Sequence, residues 1–249
     1  MSTFRPDGSI DPSQGVIVAC FGKKRSGKSV MGRLLFDGYP YDRIVLAQNA
    51  DDGPFADPDR DIFEIKGTVE DLPARWPEEL RRHDQAGPRR MTLRYVPDHG
   101  SPTVLEDCDH VMGLAQRHGH CAVLVHEVGL IAPSGRVPPH TRRLLNTNRH
   151  DHVTLILCGP RPITVDPLVI GQADLVYVFE MQVATDRKRV ADTIGWPLQD
   201  FEDAVDDLAR HEYLRFDANQ DKPTNEHEPD LRLMHCPALP PDAVKRATR

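Results

Sequence analysis

No run in this chain approaches the roughly eighteen uninterrupted apolar residues that a bilayer-spanning helix needs, which excludes helical membrane proteins as a class. The amino terminus, MSTFRPDGSIDPSQ, has neither the charged start nor the apolar core of a secretory signal, so a cytoplasmic setting is expected. None of the five cysteines, Cys20, Cys108, Cys121, Cys158 and Cys236, forms a CxxC pair, and three lie in apolar runs. Reduced core residues are the expectation, not a disulfide framework or a zinc site. Positive charge is in deficit too, with 31 Lys and Arg against 38 Asp and Glu. Any nucleic-acid contact must therefore come from a local basic surface or the lumen of a ring, because bulk charge repels a polyanion. Internal repeats and low-complexity tracts are absent as well.

Against these absences stands one dense motif. Residues Gly22 to Ser29 read GKKRSGKS, a complete GxxxxGK[ST] phosphate-binding loop, directly behind the apolar run Val16 to Phe21. The spacing suits a loop whose successive backbone N–H groups wrap a phosphate while the following helix points its positive end at the same anion. Gly22 and Gly27 free the backbone for the turn, and Lys23, Lys24, Arg25, Ser26 and Val30 complete the binding segment. Lys28 reaches the β- and γ-phosphates, and the Ser29 hydroxyl is positioned as a Mg²⁺ ligand. ATP with Mg²⁺ is the expected ligand.

The 249 residues, 39% of them hydrophobic, suffice for one large α/β domain. Short apolar runs alternate with helix-like segments, the pattern of a mostly parallel sheet flanked by helices on both faces. Strands are predicted at Arg43 to Ala47, Asp61 to Ile65, Met91 to Val96, Cys121 to Val125, Val153 to Cys158 and Leu175 to Phe179. Helical spacing covers Pro102 to His118, Pro139 to Arg149, Pro167 to Gln172, Asp186 to Ile194 and Leu198 to Leu208, with a polar helical region near Val69 to His83. Glu212 to Phe216 and Leu231 to Met234 can pair as a terminal hairpin. This divides the chain into an arm (1–14), an ATPase domain (15–216) and a carboxy-terminal hairpin with a loose tail (217–249).

Hydrolysis needs a second element, an acidic residue at the end of a buried strand that handles the attacking water. Ala122-Val123-Leu124-Val125-His126-Glu127 supplies it, with Glu127 as the group that orients or deprotonates water. His126 stands where an aspartate is usual. Imidazole is a poor direct ligand for Mg²⁺ but can hold a metal-bound water.

The segment Thr147 to Phe179 resembles the FtsK/HerA superfamily of ring-forming DNA motors. In those proteins an Arg-His or Gly-Arg step precedes an apolar strand ending in Gln-Arg-Pro, then a short helix closing on Gln-Ala-Asp. Here Arg149-His150, the strand Val153 to Cys158, Pro160-Arg161-Pro162 and Asp166 to Asp174 follow in that order. The resemblance spans about residues 15 to 216 and rests on the order of motifs, since each later piece is weak alone. It implies a P-loop NTPase core of RecA/FtsK/HerA type and a homo-oligomer, usually a hexameric ring, with active sites at subunit interfaces. Arg149, eleven positions before Pro160, matches the arginine finger. Pro160 occupies the sensor-glutamine position, a departure from the family pattern.

On this resemblance the expected activity is ATP hydrolysis coupled to translocation of double-stranded DNA. The compact chain is most like a viral genome-packaging ATPase, which implies a capsid vertex or portal protein as a docking partner and a place in the host cytoplasm or on the virion. The loop Ala132 to Pro138, with its Gly135-Arg136 tip, is a candidate DNA contact. Two other classes stay open: a nucleotide-binding assembly or structural protein that does not hydrolyse ATP, and an assembly ATPase like those of filamentous phages.

Overall fold

Most of the seven parallel strands are apolar runs buried on both faces, as a sheet covered by helices on each side requires, whereas the edge strand at 60–67 is largely exposed. The computed structural model describes residues 11, 14–47, 60–67, 69, 90–218 and 232–235. In chain order the elements are β1 (Ile17–Phe21), α1 (Lys28–Asp37), β2 (Asp42–Leu46), β3 (Arg60–Gly67), β4 (Arg90–Pro97), α2 (Val104–His118) and β5 (Cys121–Val125). They continue with α3 (Pro139–Asp151), β6 (Thr154–Gly159), α4 (Pro167–Gly171), β7 (Leu175–Phe179), α5 (Ala184–Ile194), α6 (Leu198–Asp206), β8 (Glu212–Asp217) and β9 (Arg232–His235). Short 3₁₀ turns at Val128–Leu130 and Pro162–Thr164 follow β5 and β6.

The nine strands form one sheet in the order β3-β4-β2-β5-β6-β1-β7-β8-β9. Strands β1 to β7 run parallel, whereas β8 and β9 run antiparallel and extend the sheet as the anticipated hairpin. The predicted strands and helices are all present at or near their expected bounds. The helical region near Val69 to His83 lies outside the described residues apart from Val69, as do Cys236 and the tail.

Alternation along β1 sends its side chains into two cores. Ile17, Ala19 and Phe21 join the cluster beneath α2 to α6, and Val18 and Cys20 face Met31 and Phe36 of α1. Phe36 is fully buried, and truncating it to Ala would cost ~3–5 kcal/mol. Helix α2 packs its Cys108, Val111, Met112 and Ala115 stripe inward. Its buried Asp109 accepts hydrogen bonds from the backbone N–H groups of His140 (3.2 Å) and Thr141 (2.7 Å) and from the Thr141 hydroxyl (2.8 Å). A carboxylate thus closes the amino terminus of α3. The four described cysteines, Cys20, Cys108, Cys121 and Cys158, are buried and free.

Candidate functional site

Strand β1 lies at the centre of the sheet, between β6 and β7, and its carboxy-terminal end delivers the chain into the Gly22 to Ser29 loop. A Cβ at Gly22 would fall 2.6 Å from that of Phe179, so only glycine lets the loop leave the sheet this close to β7. Arg25 and Gly27 hold positive φ angles of 65° and 114° as the loop folds back over the start of α1. That helix start has no side-chain cap and no acidic residue in its first turn, in contrast to the Asp109-capped α3. Its N–H groups remain available to an anion.

The side chains around this cradle fit a triphosphate and its metal. Lys28 is only 8% exposed, and its ammonium donates to the carbonyl of Lys23 at 3.4 Å. Burial lowers its pKa below the ordinary lysine value, and the nearby Glu127 carboxylate partly offsets that effect. The buried Ser26 hydroxyl has no hydrogen-bond partner among the described residues, an orphan that a bound phosphate oxygen would satisfy. Ser29 is exposed in the first turn of α1, where a ligand to a phosphate-bound Mg²⁺ belongs, and Lys24 and Arg25 are exposed on the loop crest.

Glu127 follows β5, two strands from β1 across β6, a lateral backbone offset of about 10 Å. Burial raises its pKa above the usual glutamate value, opposed by a hydrogen bond from the Gly129 N–H and by the charges of Lys28 and Lys24. This partly buried carboxylate therefore shares a field with the loop lysines. The His126 N–H donates to the Leu46 carbonyl at 3.3 Å, which carries the β2–β5 ladder one residue further and sets Glu127 at the mouth of the site.

Arg149 is not brought to this cluster. Its guanidinium pairs with Asp174, whose second carboxylate oxygen accepts the Ile17 N–H at 2.8 Å at the opposite end of β1. Five strand residues, about 17 Å, separate that end from the loop. Within one chain Arg149 therefore lies away from the phosphate loop. Pro160 lies just beyond β6 with no side-chain donor to offer. Arg161 donates from Nε to the buried Asp186 at 3.0 Å, and Asp186 also accepts the Ile163 N–H, which ties the segment after β6 to the start of α5.

Arg136 tips its loop and pairs with Glu106 at 2.6 Å, beside a cleft of about 440 Å³ lined by Glu106, Asp109, His110, Pro139 and His140. The rings of His120 and His152 stack at 4.4 Å, while His118 meets Asp42 at 3.0 Å. No metal-binding group of three or more His, Cys, Asp or Glu occurs among the described residues.

Sequence reasoning passed over Glu180, which immediately follows β7 and forms an ion pair with Lys23 of the loop. The signal that marks Glu127, an acid at the end of an apolar strand, was present there too. Asp174, the partner of Arg149, was read only as part of a motif.

A glycine-rich loop joining a central parallel strand to an uncapped helix, faced by a carboxylate two strands away, defines the P-loop NTPase fold. Solved structures of that kind superpose on most of the chain. The genome packaging NTPase B204 from Sulfolobus turreted icosahedral virus 2, in complex with ATP-γS, matches with a TM-score of 0.63 at 18% identity, over 92% of this chain and 100% of that one. Its AMPPCP complex gives 0.63 at 19% identity with the same coverage. The DNA-packaging ATPase B204 from Sulfolobus turreted icosahedral virus gives 0.58 at 21% identity, over 84% of this chain and 95% of that one. No protein-family model and no curated protein matches the sequence. At these identities the likeness establishes the fold: an α/β P-loop core shared with viral packaging NTPases. No helix among the described residues is long and apolar enough to cross a membrane.

Proposed function

We propose that this chain is an ATP-hydrolysing motor subunit that moves double-stranded DNA into a virus particle. The observation that carries the proposal is the complete GKKRSGKS cradle, with an uncapped helix start and an orphaned buried Ser26 hydroxyl, on a fold whose solved neighbours are packaging NTPases holding ATP analogues. Backbone N–H groups of the loop beyond Lys23 and of the first turn of α1 hold the phosphates, and Lys28 balances their charge. Ser29 and, through water, His126 would hold Mg²⁺, which would supply positive charge against the phosphates. Glu127 orients the attacking water and accepts its proton, a role its raised pKa suits.

Arg149 completes the site of an adjacent subunit in a ring, most simply a hexamer, with DNA in the lumen and a capsid vertex or portal protein as the dock. The working location is the host cytoplasm or the virion. Direct titration of a fluorescent ATP analogue, followed by phosphate release with Mg²⁺, tests the nucleotide part of this reading. Saturable binding and steady turnover are expected, and absence of binding would overturn it. A second reading, a nucleotide-holding assembly protein without turnover, is favoured by Pro160 and His126 standing where two polar groups are usual. Binding without phosphate release in any oligomeric fraction would select it.

A further inference from the structure

The phosphate loop is fastened to the end of β7 through Lys23. The Lys23 N–H donates to the Glu180 carbonyl at 2.9 Å, and the Lys23 ammonium pairs with the Glu180 carboxylate. Glu180 sits on a fixed mount. It follows β7, Met181 behind it is buried, and the Met181 carbonyl accepts Arg187 Nε from α5 at 2.8 Å. Arg187 in turn pairs with Asp206 of α6 at 2.6 Å. Lys28 donates to the carbonyl of the same Lys23. The position of residue 23 therefore governs both where the loop leaves the sheet and where the key lysine points.

We propose that Glu180 is a positioning residue for the triphosphate site: through Lys23 it holds the loop in the shape that receives phosphate, and so sets nucleotide affinity rather than the rate of hydrolysis. The inference rests on the nucleotide-binding reading above. Charge and positioning make opposite forecasts. If the pair acted only through its field, removing the Glu180 carboxylate near a polyanion would tighten binding, and removing the Lys23 ammonium would weaken it. Positioning requires both removals to weaken binding, because each releases the same fastening. Both side chains are about one-third exposed, at 37% and 35%, so the effect is modest. An exposed pair corresponds to about a two- to fivefold change.

The test compares wild type, Glu180→Gln, Lys23→Met, the double variant and the charge swap Lys23→Glu/Glu180→Lys. ATP-analogue affinity and steady-state turnover are measured on each, with thermal unfolding as a control for folding. Each single variant is expected to raise Kd and KM about two- to fivefold with kcat retained. The double variant should be no worse than either single, and the swap should recover affinity. Opposite-signed shifts for the two single variants, additive losses, or a fall in kcat at unchanged KM would overturn the proposal. Failure of the wild type to bind nucleotide would instead overturn the nucleotide-binding reading, so the two failures are distinct.

Discussion

Arg149 and Asp174 form an ion pair at the amino-terminal edge of β1, the edge opposite the phosphate loop. Asp174 is 8% exposed and Arg149 61% exposed, so the aspartate is anchored and the arginine is the solvent-facing member. An arginine placed this way has two separable roles. As a strut it would contribute about 1 kcal/mol or less, the usual value for an exposed partner. As a finger acting on a neighbour's nucleotide it would contribute about 10³-fold or more in rate, roughly 4 kcal/mol of barrier. Arg149→Ala should therefore retain nucleotide affinity and nearly all of its stability while losing most turnover. Mixing it with Lys28→Ala subunits should recover part of the activity, since mixed interfaces unite an intact loop with an intact arginine. Mixed oligomers that remain dead, or an Arg149→Ala variant with full turnover, would rule out the trans role.

Lys28→Ala should abolish ATP binding or hydrolysis. It removes a buried cation from the centre of the cradle, and the loop backbone alone cannot offset the γ-phosphate charge. Isothermal titration with an ATP analogue checks this, and unchanged binding and turnover would remove the loop from the account.

Glu127→Gln should bind nucleotide normally and turn over about a hundredfold more slowly or worse. The pH profile gives a second check. Burial makes the folded Glu127 hold its proton more tightly than a free glutamate, so its active carboxylate form appears at higher pH. Turnover should fall as pH drops, with a midpoint above the ordinary glutamate value, and Glu127→Gln should lose that acid limb. A limb that persists in the variant would assign it to another group.

His126→Asp should keep or raise activity, because an oxygen donor is better suited than imidazole to Mg²⁺. The midpoint of the Mg²⁺ dependence of turnover is the readout, and it should move to lower concentration. A collapse of activity in this variant together with a neutral Glu127→Gln would mean that the β5 end does not serve the site.

Local features of the site were legible in the sequence. The GKKRSGKS spacing, the apolar run before it and the acid ending Ala122 to Glu127 are each contained in a few consecutive residues, and local periodicity also revealed the strands. Strand order was not legible, because pairing such as Cys20 with Cys158 joins residues far apart in the chain and leaves no local pattern. For the same reason, the count of residues between Arg149 and Pro160 could not tell which edge of the sheet each occupies. The β8–β9 hairpin was readable because its two strands are close in sequence and antiparallel. The fastening of Lys23 by Glu180 spans 157 positions and is visible only once β7 lies beside β1.

The central claim is that nucleotide turnover here serves DNA movement through an assembled ring. ATP hydrolysis, measured on size-fractionated protein with and without double-stranded DNA, addresses it most directly. The account predicts that turnover resides in an oligomeric fraction, rises when double-stranded DNA is added, and disappears with Lys28→Ala. Turnover confined to the monomer, or indifferent to DNA in every oligomeric fraction, would contradict it.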